Sequence, residues 1–125
     1  MKKVKYSREM LKSKIHRATV TDADVDYEGS ITIDQKLMHL ANLLPHEKVD
    51  VLNVTNGERF STYVIPSKKD SGEICINGAA AHLAKKGDIV IIVSYVTIDD
   101  DFAADYKPTI VHVNSDNNPQ PRCCL

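Results

Sequence analysis

The chain has 125 residues, 42% hydrophobic and 26% charged, with a formal net charge of −1. That is one domain's length with apolar content for a single core, and it favours neither disorder nor a membrane-buried protein. The longest purely apolar run, Ile89 to Val93, is far short of a bilayer span. No apolar stretch follows the N-terminal lysines as a secretory signal requires, so the expected location is cytoplasmic.

Three cysteines, Cys75, Cys123 and Cys124, have no CxxC spacing, which argues against a disulfide framework or a zinc site. The last four residues, Arg122-Cys123-Cys124-Leu125, put no cysteine where prenylation needs one. Charge is uneven, with Lys2, Lys3, Lys5, Arg8, Lys12, Lys14 and Arg17 facing only Glu9 in the first seventeen residues. A nucleic-acid arm would interleave stacking aromatics, and only Tyr6 is there, so no nucleic-acid partner is expected.

Lys14 to Thr21 is rich in β-branched residues and predicts a strand. An acidic stretch, Asp22 to Glu28, leads to Gly29-Ser30. After Ile31-Thr32-Ile33, Asp34 can cap a short helix with Leu37, Met38, Ala41 and Leu44 on one face, closed by Pro45. Lys48 to Thr55 alternates before Asn56-Gly57, a strong hairpin signal. The return strand, Glu58 to Ile65, sets Phe60, Thr62 and Val64 on one face and Arg59, Ser61 and Tyr63 on the other. Lys68 to Gly72 is a polar turn, Glu73 to Ile76 a strand, and Ala79 to Ala84 a short helix of small residues. Ile89 to Thr97 has few polar residues and predicts a strand buried on both faces. Ile110 to Val113 is a last strand, and 114–125 a flexible tail. His39-Leu40-Ala41 and His82-Leu83-Ala84 each end a helix before a Val/Ile-rich strand, an echo that suits two related halves. The composite is a mainly β chain: a compact barrel with short helices in one domain, 1–125.

No HExxH or HxH spacing joins the five histidines, so no metal is expected. A GxSxG elbow and a phosphate-binding glycine loop are also absent. Gly29-Ser30 is by itself an ordinary loop pair. It stands, however, among blocks in a fixed order: Lys14-Ile15-His16-Arg17, Tyr27-Glu28-Gly29-Ser30, Asn53-Val54-Thr55-Asn56-Gly57, Arg59-Phe60-Ser61-Thr62-Tyr63, Asn77-Gly78-Ala79-Ala80-Ala81-His82 and Gly87-Asp88-Ile89-Val90-Ile91. In order and spacing, from Arg8 to Pro108, the chain resembles the bacterial aspartate 1-decarboxylase family.

The resemblance implies a double-psi β-barrel, assembled as a homotetramer with sites near subunit boundaries. It implies a precursor that cleaves itself between Gly29 and Ser30, giving a β chain (1–29) and an α chain (30–125). Ser30 becomes a covalent pyruvoyl cofactor that forms a Schiff base with L-aspartate. The products are β-alanine and carbon dioxide, for pantothenate and coenzyme A synthesis. By position, Tyr63 matches the proton donor, Arg59 and Lys14 the carboxylate partners, and Gly78, Ala79 and Ala80 a substrate-contacting turn. Thr62 matches an oxyanion donor in processing and a substrate contact, and Tyr27 is a further processing candidate. A maturation helper protein is an additional partner in some lineages.

Each role has a plainer counterpart. Thr62 and Tyr63 suit any strand, Arg59 and Lys14 any solvated surface, and Gly78 to Ala80 any helix entry. Arg59 and Tyr63 lie about 13 Å apart along one strand, so they meet one small substrate only through converging side chains or a site shared between subunits. Two rival readings stand: a non-catalytic barrel serving as a binding module, and a pyruvoyl enzyme acting on glutamate. The five residues before the family's usual start, and the tail after Pro108, lie outside the resemblance.

Overall fold

The computed structural model describes residues 4–121; expectations for Cys123 and Cys124 lie outside the described residues. In chain order the elements are β1 (Ser7–Thr19), β2 (Asp22–Asp24), β3 (Ser30–Asp34), α1 (Gln35–Leu40), β4 (Lys48–Asn53), β5 (Arg59–Ser67), β6 (Ile74–Asn77), a 3-10 helix (Gly78–His82), β7 (Ile89–Asp99), α2 (Asp100–Ala103) and β8 (Thr109–His112). The strands form one sheet in the order β2-β6-β3-β5-β4-β7-β1-β8.

The two flanks of that order belong to one stretch of chain. β1 pairs with β7, only Val20 and Thr21 intervene, and β2 then pairs with β6. The Thr21 amide donates to the Ile74 carbonyl at 2.8 Å, and the Val20 amide to Asp88 at 2.9 Å. The sheet thereby curls into a barrel, which removes most of its open edge. Inside lies an aliphatic core in which Ile15, Ile31, Ile33, Val51, Val64, Ile74, Ile76 and Val90 are all fully buried. Along β3, β4 and β6 the branched residues Ile31, Ile33, Val49, Val51, Ile74 and Ile76 take every second position and face inward.

The repeated His-Leu-Ala segments have structural counterparts. β3-α1-β4 and β6, the 3-10 helix and β7 are matching units, with β3 antiparallel to β6 and β4 antiparallel to β7. β5 runs parallel to β3 as β2 runs parallel to β6.

Four expectations need correction. Leu44 is 68% exposed instead of sharing the buried face of α1. The helix ends at Leu40, and Asn42 turns to φ 55°, so the i+7 position never forms. β7 is buried through its first half but alternates from Tyr95 onward, because α2 and the N-terminal half of β1 leave one face open. The Asn56-Gly57 hairpin is longer than two residues: Asn53 Oδ1 accepts from the Thr55 amide at 3.0 Å, and Gly57 closes the loop at φ 81°.

Finally, the segment expected to be a loose tail is pinned as far as residue 121. Buried Asn117 accepts from the Thr19 amide at 2.7 Å and donates to the carbonyls of Thr19 and Gly72 at 2.8 Å each. Asn117→Ala leaves those groups unpaired, and we expect a loss of about 2–3 kcal/mol, read as a lowered urea midpoint.

β1 carries a second device. Between Ile15 and Ala18 its register slips, and Arg17 adopts φ 62°. His16 packs edge-on to His112 with ring centroids 5.4 Å apart, and its Nδ1 is buried without a partner. Burial holds the His16 pKa below its ordinary 6.5, helped by the charges of Lys14, His112 and Arg17. The unfolded chain therefore binds a proton more readily than the fold does. This stability is fully present above about pH 6.5 and is lost as pH falls through the folded value. The expected observation is a melting temperature that drops from pH 7.5 to 5.5, with a shallower slope in His16→Gln.

Candidate active site

Gly29 and Ser30 stand at the start of β3, between β5 and β6. Ser30 is antiparallel partner to Asn77, which puts Gly29 opposite Gly78. On the other side the parallel register with β5 begins at Ile31 and Val64, so Thr62 and Tyr63 lie just before the first paired residue of β5 as Gly29 and Ser30 lie just before that of β3. Three sequence blocks thus meet at one end of β3.

The approach at Gly78 is unusually close. It lies at φ 75°, and a Cβ there would fall 2.6 Å from the Gly29 Cα, 2.8 Å from its nitrogen and 3.1 Å from the Tyr27 carbonyl oxygen. Only glycine satisfies both demands. Gly29 itself has open space where a side chain would be, and as glycine it adds no side chain beside the scissile carbonyl.

Ser30 is 1% exposed although Gly29 beside it is exposed. Its Oγ donates to the Glu28 carbonyl at 3.3 Å and accepts from Asn77 Nδ2 at 3.0 Å. The second Nδ2 proton goes to Thr32 Oγ1 at 2.9 Å, and Cys75 Sγ donates to Asn77 Oδ1 at 3.2 Å. Sequence reasoning passed over Asn77 as a site residue. Its signal was a polar, amide-bearing side chain closing an otherwise apolar strand, directly before a glycine.

The remaining candidates are spread out. Alternation directs Ser30, Arg59, Ser61, Tyr63, Asp50 and Lys14 to the outer face of the barrel. Lys14 pairs with Val93, which pairs with Asp50, which pairs with Ser61. Lys14 is consequently three strands from β5, roughly 14 Å around the sheet. Tyr63 is 37% exposed, with the His46 ring 6.3 Å from its own. Thr62 faces inward with Phe60 and Val64, half-buried. Tyr27 is 56% exposed at the turn before Gly29. Ala79 is exposed and Ala80 half-buried in the 3-10 helix.

A hollow of about 160 Å³ beside Arg59 is walled by Asp50, Leu52, Phe60 and Ser61. Another of about 260 Å³ lies between Glu9, Lys48, Val49, Asp50 and Tyr95. Burial and the nearby Asp50 carboxylate push the Tyr95 phenol up, whereas Arg59 pulls it down. A third hollow, about 470 Å³ over α1, is lined by Gln35, Lys36, His39, Leu40 and Lys69. None of the three is lined by Ser30. Among the described residues no cluster of three or more His, Cys, Asp or Glu could hold a metal, and no helix is long and apolar enough to cross a membrane.

Fold and site together define a small, mainly β barrel in which a buried serine hydroxyl is clasped directly after an exposed glycine. The family profile described as aspartate decarboxylase matches residues 6–120. The aspartate 1-decarboxylase of Thermoanaerobacter pseudethanolicus is 59% identical over 112 residues, covering 90% of this chain and 96% of that protein. Those of Syntrophus aciditrophicus and Campylobacter hominis are 63% and 61% identical over 110 and 108 residues, covering 88% and 86% of this chain and 95% and 93% of theirs. The chain belongs to the aspartate decarboxylase family, a family of carboxy-lyases.

Proposed function

We propose that this chain is the precursor of a pyruvoyl-dependent enzyme that decarboxylates L-aspartate to β-alanine, and that it matures by cutting itself between Gly29 and Ser30. The observation that carries the reading is the clasped Ser30 hydroxyl beside Gly29, held by Asn77 and by the close approach of Gly78. The residues present fit the group: a serine stands where the pyruvoyl must arise, and a hydrogen-bond donor already points at its side-chain oxygen.

In this reading Ser30 Oγ attacks the Gly29 carbonyl carbon, the C–N bond breaks, and an ester with a free amine results. Thr62, on the adjoining strand, is the proposed donor to the oxyanion, and Tyr27 shapes the turn. Loss of the Ser30 α-proton breaks the Cβ–O bond, leaving a carboxylate on Gly29 and dehydroalanine at position 30. Water then displaces ammonia, leaving a ketone at the new N-terminus. Once formed, the pyruvoyl group supplies a carbonyl for the substrate's amino group and a sink for the electrons released with carbon dioxide.

This chain's own residues do the rest. Arg59 grips a carboxylate through its planar fork and Lys14 supplies a second cation. Gly78, Ala79 and Ala80 offer backbone approach, and Tyr63 returns a proton to the substrate's α-carbon. These groups occupy an outer barrel face, which cannot by itself enclose a small dianion. A second copy of the chain must supply the opposite wall, in keeping with a homotetramer of the double-psi type. The product would feed pantothenate and coenzyme A synthesis, and a helper protein would bear only on the cleavage rate.

Arg59→Lys keeps the charge but loses the fork; we expect KM for aspartate to rise roughly ten- to a hundredfold with a smaller change in kcat. Glutamate, one methylene longer, is discriminated by only about 1–3 kcal/mol, so both substrates belong in the same assay. The decisive test is intact-mass spectrometry. Two chains, 1–29 and 30–125, with the second lighter by one ammonia than simple hydrolysis gives, support the reading. A chain that stays whole even in lysate of its own source, and makes no β-alanine, refutes it in favour of a binding module.

A further inference from the structure

Ser30 and Thr32 on β3 and Cys75 and Asn77 on β6 form a polar patch two residues long and two strands wide, on the face opposite the core. Ser30 pairs with Asn77 and Thr32 with Cys75. A primary amide in such a place has two orientations related by a half-turn about its last torsion. Only one of them aims N–H at Ser30 Oγ; the other brings Oδ1 there, which cannot donate.

The hydroxyls of Ser30 and Thr32 can accept or donate in either orientation, and Cys75 is the neighbour that favours one of them. Cys75 Sγ lies 3.2 Å from Asn77 Oδ1, and its proton pairs better with that oxygen than its weakly accepting sulfur would with an NH2 group. Thr32 Oγ1, 2.9 Å from Nδ2, takes the second amide proton. Burial, together with the acidic groups of Asp22, Glu73 and Asp24, raises the Cys75 pKa and keeps its proton in place. With Asn77 donating to the Ser30 oxygen, the serine's own proton is directed to the Glu28 carbonyl. The lone pair left on Oγ is then fixed relative to the scissile bond.

We infer that Cys75 and Thr32 are positioning residues for self-cleavage: acting through Asn77 from opposite ends of its amide, they set the Ser30 hydroxyl in its attacking orientation. The inference rests on the self-cleavage reading and adds two side chains that never touch the reacting atoms. It also separates two roles on one patch, since neither residue contributes to the aliphatic core on the far side of the sheet.

The test is the rate at which freshly translated, full-length chain converts to 1–29 and 30–125 in a cell-free system, followed by intact mass. Cys75→Val and Thr32→Val each remove one hydrogen bond to the amide and should slow cleavage roughly three- to tenfold. Cys75→Ser puts a hydroxyl donor in place of the thiol and Thr32→Ser keeps the hydroxyl, and both should stay within about twofold of the parent. The same substitutions in an uncleavable Ser30→Ala background report stability alone. There the valine variants should melt no lower than the serine variants, because β-branched residues suit a half-buried strand. Valine variants that cleave at the parental rate overturn the inference, as does slowing that follows lost melting temperature in valine and serine variants alike. If the parent chain itself never cleaves, the self-cleavage reading falls instead, and the variants are not what decides it.

Discussion

Ser30→Ala should leave one uncut chain and no β-alanine above background. The substitution removes the only atom that can become both the ester oxygen and, after elimination, an oxygen of the Gly29 carboxylate. No neighbour substitutes for it: Thr32, the nearest hydroxyl on the strand, is directed at Asn77 two residues away from the scissile bond. A loss beyond a thousandfold in cleavage is the expectation, since the nucleophile is deleted rather than displaced. The fold should survive. Asn77 Nδ2 keeps Thr32, and two hydrogen bonds are lost, the one from Asn77 and the longer one to the Glu28 carbonyl, about 1–2 kcal/mol or roughly 3–12 °C in melting temperature. An alanine variant that is still cut at the same bond, seen by intact mass, would remove Ser30 from the chemistry.

Gly78→Ala should be nearly as damaging for a different reason. Alanine at φ 75° costs about 1–2 kcal/mol from the backbone alone. Its Cβ would also meet the Gly29 Cα at 2.6 Å, and main-chain atoms cannot swing aside as a side chain can. One of the two strands must move, and the strand end that moves carries the scissile bond. The combined expectation is a stability loss of about 3–5 kcal/mol and a cleavage rate down at least about a hundredfold, as an ångström of misplacement commonly costs. Gly57→Ala is the matched control. It has a similar φ of 81° but nothing within 4 Å, so it should show only the backbone cost and cleave normally. Equal behaviour of the two variants in urea unfolding and in cleavage would show that the contact at Gly29 is immaterial.

What the sequence made legible here was local pattern and block order. Period-two alternation assigned Phe60, Thr62 and Val64 to one face of β5 and Arg59, Ser61 and Tyr63 to the other, and the burial along the strand follows it. Asp34 was identifiable as a cap, and its carboxylate does accept from the Lys36 amide at 2.8 Å. Contacts between distant segments were not legible. Asn77-Gly78 looked like a plain helix entry, because what makes Gly78 necessary is the backbone of Gly29, forty-nine positions earlier. Asn117 sits in a run of polar residues with nothing to distinguish it. Its three hydrogen bonds reach Thr19 and Gly72, and only the closed barrel brings those two together. The same holds for β2, three residues of an acidic stretch that become a strand because β6 lies alongside.

The course of β1 through Val20 and Thr21 into β2 changes what a cut at Gly29-Ser30 would mean. The released 29-residue piece is threaded through the barrel, paired with β7 and β8 at one end and β6 at the other, with Ile15, Ala18 and Val20 in the core. It could not leave without dismantling the sheet, so the cut protein would hold its shape as firmly as the intact one. Unfolding, however, would change molecularity. The uncut chain unfolds and refolds as a single molecule, whereas the cut one must find its partner again at a rate set by concentration. Maturation would in that sense be a ratchet: it leaves the native structure in place while removing the easy way back to it.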